Sequence, residues 1–223
     1  MDRPHVVTHF LVSLDSKFEG FPLAVGRYYE LAAELPHDAV LAGSSTMVAA
    51  AAEAGVDLSE DDAVAAHAGV AADAGGKPLL VVVDSAGRLT RFDWLRATDL
   101  WSDLLVLGSQ RTAQEHRDRL RSTGVGFHEV GDERVNLERA LEHLRIQRRI
   151  EAVRVDAGPG LNGALLDAGL LDEVSVLLAP YIVGTGRGVV DGFAAATAQA
   201  LDLTSVKAQP DGHVWLRYAV KHS

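Results

Sequence analysis

Short, almost wholly apolar runs alternate with segments of helical periodicity along most of this chain, and no other feature restricts its fold so strongly. The runs are "HVVTHFLVSL", "DAVLAG", "PLLVVVD", "DLLVLG", "GFHEV", "EAVRVDAG", "EVSVLLAP" and "HVWLRYAV". Between most of them lie "GRYYELAAEL", "SSTMVAAAAEAG", "TAQEHRDRLRSTG", "NLERALEHLRIQRR" and "GLNGALLDAG", whose apolar residues recur every three or four positions and several of which stop at glycine. Parallel neighbours need crossover connections, so the alternation predicts an α/β fold: a central, mostly parallel sheet with helices on both faces. From Glu173 onward the chain reads as strands with little helix, which predicts an antiparallel C-terminal edge. No linker rich in Pro, Gly and Ser interrupts the sequence, so residues 1–223 read as a single domain. The stretch Ala49 to Lys77, rich in alanine, acid and glycine, reads as a helix end followed by a loop.

Composition removes several classes of function. There are no cysteines, which excludes disulfides, iron–sulfur clusters and thiolate zinc sites. A net charge of -10 argues against a surface that tracks nucleic-acid phosphates, and the densest basic stretch, "HLRIQRRIEAVR", reads as a solvated helix face running into a strand. The N-terminus lacks a secretory pattern and no apolar run approaches the roughly 18 residues of a membrane span, so we expect a soluble protein with a cytoplasmic address and no membrane partner. The nine histidines show no metal-ligand spacing, since His5 and His9 fall on a strand rather than a helix, and no metal is expected.

In a parallel sheet, ligands collect beyond the carboxyl ends of the strands, where helix N-termini present unpaired N–H groups. Two junctions have suitable chemistry. At "VLAGSSTM", Gly43 permits close approach, and Ser44, Ser45 and Thr46 either cap a helix or donate to a phosphate. At "DAGPGLNGALL", Gly158, Pro159 and Gly160 precede a helix beginning near Leu161. Paired junctions suit a ligand with two phosphates, although neither carries a GxGxxG pattern. A third junction, "VVVDSAGRL", is either a surface turn or a monoester-phosphate pocket using Ser85 and Arg88. In "SLDSKFEGF", Asp15 ends the first strand as either a turn residue or an active-site acid.

Taken in order, "HFLVSLDSK", "DAVLAGSSTM", "LLVVVDSAGRL", "VDAGPGLNGALLDAGLLDEVSVLLAPYIVGTGRG" and "GHVWLRY" resemble the signature blocks of the reductase domain of the riboflavin-biosynthesis deaminase-reductase family, which has the dihydrofolate reductase-like fold. The resemblance spans essentially the whole chain and does not include the deaminase domain of bifunctional members. It implies an NADPH-dependent oxidoreductase that transfers a hydride to a C=N carbon of a ribosylaminopyrimidine. The turn Ala157, Gly158, Pro159, Gly160, Leu161, Asn162 and Gly163 is then implied to lie against the cofactor pyrophosphate, with Gly43, Ser44 and Thr46 at the other phosphate-facing junction. Ser85 is implied to contact the cofactor, with Arg88 beside its 2′-phosphate. Asp156 stands where the family usually has a substrate-facing glutamate and is the first catalytic candidate; Asp15 is the second. Family members are commonly homodimers, and "HVWLRYAV" is a candidate interface.

The substrate half departs from the family pattern. Ala50 stands where an aspartate is usual, Asp57 falls near a substrate-phosphate arginine, Glu34 aligns with a second one, and Ser16 replaces the glycine of "SLDG". Loss of two arginines disfavours a phosphorylated sugar. A reductase of an unphosphorylated, pteridine-like metabolite and a non-catalytic nucleotide-binding protein on the same fold therefore stand as alternatives.

Overall fold

The computed structural model describes residues 2–57, 76–188 and 198–222, so most of the Ala49–Lys77 stretch lies outside the described residues. In chain order the elements are β1 (His5–Ser13), α1 (Val25–Ala32), β2 (Ala39–Gly43), α2 (Ser44–Glu53), β3 (Leu79–Val83), α3 (Asp93–Ala97), β4 (Leu104–Gly108), α4 (Gln114–Ser122), β5 (Gly126–Glu129), α5 (Leu137–Arg148), β6 (Ala152–Val155), α6 (Pro159–Asp167), β7 (Glu173–Ala179), β8 (Leu201–Ala208) and β9 (Val214–Val220). They fall into two compact units, one of residues 1–4 and 37–151, the other of residues 5–36 and 152–223.

In the first unit, β2, β3, β4 and β5 pair in that order and all run parallel. β2, β3 and β4 are buried along nearly their whole length and so read as unbroken apolar runs, as parallel strands under helices do, whereas β5 at the end of the series is only half-buried. Leu80, Val82, Leu89, Phe92, Leu95, Leu104, Val106 and Leu120 form one buried cluster. Each such side chain contributes about 1.5–3 kcal/mol by leaving water, as an upper estimate. The basic stretch at the end of α5 behaves as a solvated face up to a point. Asn136 caps the helix by accepting from the Arg139 N–H at 3.0 Å, and Arg145 pairs with Asp2 and Glu151. Arg149 closes the helix at φ 56°.

In the second unit, the strand order is β6-β1-β7-β9-β8. β1 is parallel to both β6 and β7, whereas β9 runs antiparallel to β7 and β8 antiparallel to β9, so the antiparallel edge lies where the sequence places it. Val7, Leu11, Leu31, Leu35, Leu177, Ala179 and Trp215 make its core. Arg154, the last basic residue of the "HLRIQRRIEAVR" stretch, is here a buried residue of β6 that donates to the Ala32 carbonyl at 3.2 Å, not part of a solvated face.

Every run read as a strand forms one. The alternation does not disclose β8, whose "LDLTSVKA" is exposed along nearly its whole length and buries no apolar face that would mark it. Nor does it disclose α3, a five-residue helix too short to show periodicity. No helix among the described residues is long and apolar enough to cross a membrane.

Candidate functional site

The carboxyl ends of β6, β1 and β7 hold the acidic candidates of the second unit. Val155 is level with Thr8 across the β1–β6 ladder, so Asp156 emerges beside His9. Its carboxylate Oδ1 accepts a hydrogen bond from the Tyr28 hydroxyl on α1 at 3.0 Å, and that hydroxyl also lies 3.2 Å from the His9 carbonyl. Burial pushes the Asp156 carboxyl above the ordinary carboxylate range, with the Arg154 charge and the Tyr28 hydrogen bond acting against it. Burial, reinforced by the neighbouring Asp156 charge, likewise pushes the Tyr28 phenol well up, so it remains a donor.

A chain of buried polar groups supports this pair. His9 stacks on Tyr28 with ring centroids 4.5 Å apart. Its Nε2 lies 3.2 Å from the Tyr28 carbonyl, which can only accept, so Nε2 carries the ring proton. Burial holds the His9 pKa down to about 4, so the ring is neutral and bare at Nδ1. Ser175 Oγ therefore donates to Nδ1 at 2.9 Å and accepts from Trp215 Nε1 at 2.7 Å. Each proton in the series has one acceptor to serve until Tyr28, which has two.

Asp15 has a different task. β1 continues from His9 to Ser13, about 13 Å at strand rise, before the turn that carries Asp15, so the two aspartates are not a paired acid and base. Asp15 accepts from the Ser13 hydroxyl at 2.7 Å and from the N–H groups of Val183 and Gly184 at 3.0 and 2.7 Å. These donors, the Ser13 hydroxyl foremost, hold its carboxyl far below the usual range. Through these bonds Asp15 clasps the turn after β1 to the 181–184 loop. In the same turn Ser16 sits at φ 63°, a left-handed conformation that accounts for the glycine usual in "SLDG". Lys17, which sequence reasoning passes over, is half-buried beside this clasp and its ammonium has no partner among the described residues.

The glycine turn joins β6 to α6. Gly158 is the N-cap in extended backbone, Pro159 takes the first helical position, and no side chain caps the helix. Gly160 is exposed, its φ is not in the left-handed region, and a Cβ there would meet nothing within 4 Å. Neither conformation nor packing demands that glycine, and open space over an uncapped helix N-terminus fits an anionic ligand approaching main chain. Asn162 is placed otherwise. It is fully buried, accepts from the Thr8 hydroxyl at 2.7 Å, and donates to the carbonyls of Ala157 and Gly158 at 2.6 and 3.2 Å. Its side chain braces the turn against β1 and is not available to a ligand. Ala157 and Gly163 are buried, while Leu161 is half-buried.

In the first unit, α2 starts at Ser44 with Gly43 as its N-cap, so Ser44, Ser45 and Thr46 form its first turn and none of them caps it. After β3, both oxygens of the buried Asp84 carboxylate accept from the N–H groups of Arg88 and Leu89, at 2.9 and 3.0 Å, and so shape the loop. Ser85 Oγ accepts from the Val135 N–H at 3.0 Å, which leaves its hydroxyl hydrogen to donate elsewhere. The Arg88 side chain is exposed and makes no hydrogen bond among the described residues. Two residues that break the family's substrate pattern are engaged with the protein itself: Glu34 pairs with Lys207 at 3.1 Å, and the Asp57 carbonyl accepts from Arg91 at 3.4 Å.

A model of the RibD C-terminal domain matches residues 4–216. The chain belongs to that family. Among RibD-related proteins, it is 32% identical over 200 residues, 85% of either chain, to the 2,5-diamino-6-ribosylamino-4(3H)-pyrimidinone 5′-phosphate reductase of Methanothermobacter thermautotrophicus. It is 31% identical over 114 residues to the riboflavin biosynthesis protein RibD of Escherichia coli, covering 51% of this chain and 29% of that protein. Among solved structures, a pyrimidine reductase-like protein of Corynebacterium diphtheriae superposes with a TM-score of 0.71 at 18% identity, covering 100% of this chain and 94% of that one. RibD of Acinetobacter baumannii superposes with a TM-score of 0.67 at 24% identity, over 99% of this chain and 59% of that one. The mixed sheet with its antiparallel C-terminal strands is thus the fold of the RibD reductases, as the resemblance implies.

Proposed function

We propose that the protein is an NADPH-dependent reductase of the riboflavin-biosynthesis type that reduces a C=N bond of a ribosylaminopyrimidine. The observation that carries this reading is the Asp156–Gly160 turn: an uncapped helix start, with space over Gly160, follows directly on a carboxyl whose affinity for protons is raised by burial. Membership of the RibD family and the reductase activity of the Methanothermobacter relative support it.

When bound, the nicotinamide supplies the hydride. This chain's residues do the rest. In the second unit, the first-turn N–H groups of α6 would hold phosphate through the approach that Gly160 leaves open; in the first unit, the first turn of α2 offers N–H groups of the same kind. Ser85 donates its remaining hydroxyl hydrogen and Arg88 its guanidinium to the 2′-phosphate, which selects NADPH over NADH. Asp156 binds the substrate and delivers the proton that the imine nitrogen takes up as its carbon receives the hydride. The imine carbon would thus gain its hydrogen from the hydride and the nitrogen its hydrogen from Asp156, which solvent reprotonates.

A second reading, reduction of an unphosphorylated pteridine-like or specialised metabolite, is favoured by Glu34, which aligns with a usual arginine, and by Asp57, which falls near another. Initial rates of NADPH oxidation with the ribosylaminopyrimidine 5′-phosphate, with its dephosphorylated form and with an unphosphorylated pteridine separate the two. Turnover of the phosphate supports the first, turnover confined to an unphosphorylated compound supports the second, and turnover of none contradicts the first.

A further inference from the structure

We propose that Tyr28 is a positioning residue that lets Asp156 load and unload a proton without disturbing its surroundings: the single phenolic proton faces two acceptors, the Asp156 carboxylate at 3.0 Å and the His9 carbonyl at 3.2 Å, and moves between them. This rests on the reading of Asp156 as the residue that faces the substrate. When Asp156 is ionised, Tyr28 donates to it. When Asp156 is protonated, its own O–H donates to the Tyr28 oxygen and the phenol turns to the His9 carbonyl. The Tyr28 oxygen and the Asp156 Oδ1 each keep a hydrogen-bond partner in both states, as polar groups at a largely desolvated site need.

The neighbours make this exchange specific to Tyr28. His9 is neutral, with its ring proton committed to the Tyr28 carbonyl and its other nitrogen to Ser175, so it neither takes nor gives a proton. Trp215 secures Ser175 from β9. Arg154 on β6 is the cation that bears on Asp156, and its guanidinium donates to the Ala32 carbonyl. Tyr29, the remaining titratable group on α1 near the pair, packs edge-on against Tyr28 at 5.0 Å. The stack of His9 on Tyr28 fixes the phenol in place, so only its hydrogen has to move. The proton balance is closed: one turnover draws one proton from Asp156, and solvent restores it.

The test is a carboxyl-carbon NMR titration of the full-length protein labelled at aspartate, with Asp156→Asn identifying the resonance. Tyr28→Phe keeps the ring and its stack but removes the hydroxyl that favours the ionised form, so the Asp156 midpoint must move upward from its wild-type value. A midpoint that stays put, or moves down, overturns the proposal, because a purely packing role for Tyr28 predicts no change. A label at the tyrosine Cζ gives a reading that needs no variant at position 28. The Tyr28 resonance must follow the Asp156 titration in the wild type and lose that inflection in Asp156→Asn; an unresponsive resonance overturns the exchange. With the substrate in hand, the acid-base limb of kcat must shift in Tyr28→Phe by the same amount as the NMR midpoint. A limb that fails to follow removes the catalytic part of the proposal, whereas failure of the cofactor reading shows separately as loss of NADPH binding with the NMR coupling intact.

Discussion

Replacing Asn162 with alanine tests whether the glycine turn is held by the brace seen in the structure. The side chain is fully buried and makes three hydrogen bonds, one accepted from Thr8 and two donated to the carbonyls of Ala157 and Gly158. At about 1 kcal/mol net per bond, with the buried Thr8 hydroxyl left unpartnered, the substitution costs about 3 kcal/mol. For a chain of this size that lowers Tm by about 6–12 °C. Thermal unfolding followed by circular dichroism reads the shift, and Thr8→Val removes the other end of the shortest side-chain bond. In a double-mutant cycle the pair should show a coupling of about 1 kcal/mol, because Asn162→Ala has less to lose once Thr8 cannot donate. A Tm drop of less than about 2 °C, or strict additivity with Thr8→Val, refutes the brace, since either result means the three bonds carry no net stability.

Four further outcomes are expected. Gly160→Leu should leave Tm nearly unchanged, because nothing lies within 4 Å of a Cβ at that position, yet weaken NADPH binding at least tenfold, about 1.4 kcal/mol; a tight NADPH complex of this variant, read by calorimetry, speaks against the turn as a cofactor surface. Burial opposes the charge of Glu173, but the nearby His5 imidazole and hydrogen bonds from Arg217 hold its pKa down to about 2, so its stabilising effect is complete above the ordinary value of 4.5 and is lost as pH falls from there towards 2. Glu173→Gln should flatten the pH dependence of Tm in that window, and an unchanged profile would show the ion pair to be inert. Ser16→Gly should raise stability by up to about 1 kcal/mol by relieving a left-handed φ of 63°, as read by the shift in Tm, where a loss counts against the strain. Asp15→Asn should make the 181–184 loop more susceptible to limited proteolysis, since the amide offers one acceptor oxygen where the carboxylate serves Val183 and Gly184 with two.

The parallel direction of the strands is legible because burial on both faces writes β2, β3 and β4 as apolar runs and the crossover helices supply the alternation, whereas the order of the strands in the sheet is not written in any local pattern. β8 escapes that logic: Leu203 and Val206 are 55% and 56% exposed, so its residues carry no record of a buried face. The candidate site is legible where one local segment makes it, as in the turn and helix start at Gly158–Gly160, and opaque where it depends on partners far apart in the chain. Tyr28 meets Asp156 across 128 positions and Thr8 meets Asn162 across 154, and no local pattern in "GRYYELAAEL" or "GLNGALL" marks these pairings. Asp15 shows the same limit from the other side. A carboxylate at a strand end carries no local sign of the N–H groups it serves, 168 and 169 positions away.

The central claim is that this chain binds NADPH through its glycine turn and distinguishes the 2′-phosphate through Ser85 and Arg88. A calorimetric titration of the protein with NADPH, paired with NADH, tests it most directly. The account predicts NADPH binding at least tenfold tighter than NADH, about 1.4 kcal/mol, with Arg88→Ala reducing the difference and leaving the NADH affinity where it was. Failure of either nucleotide to bind contradicts the account and reduces the Asp156–Gly163 turn to a packing corner.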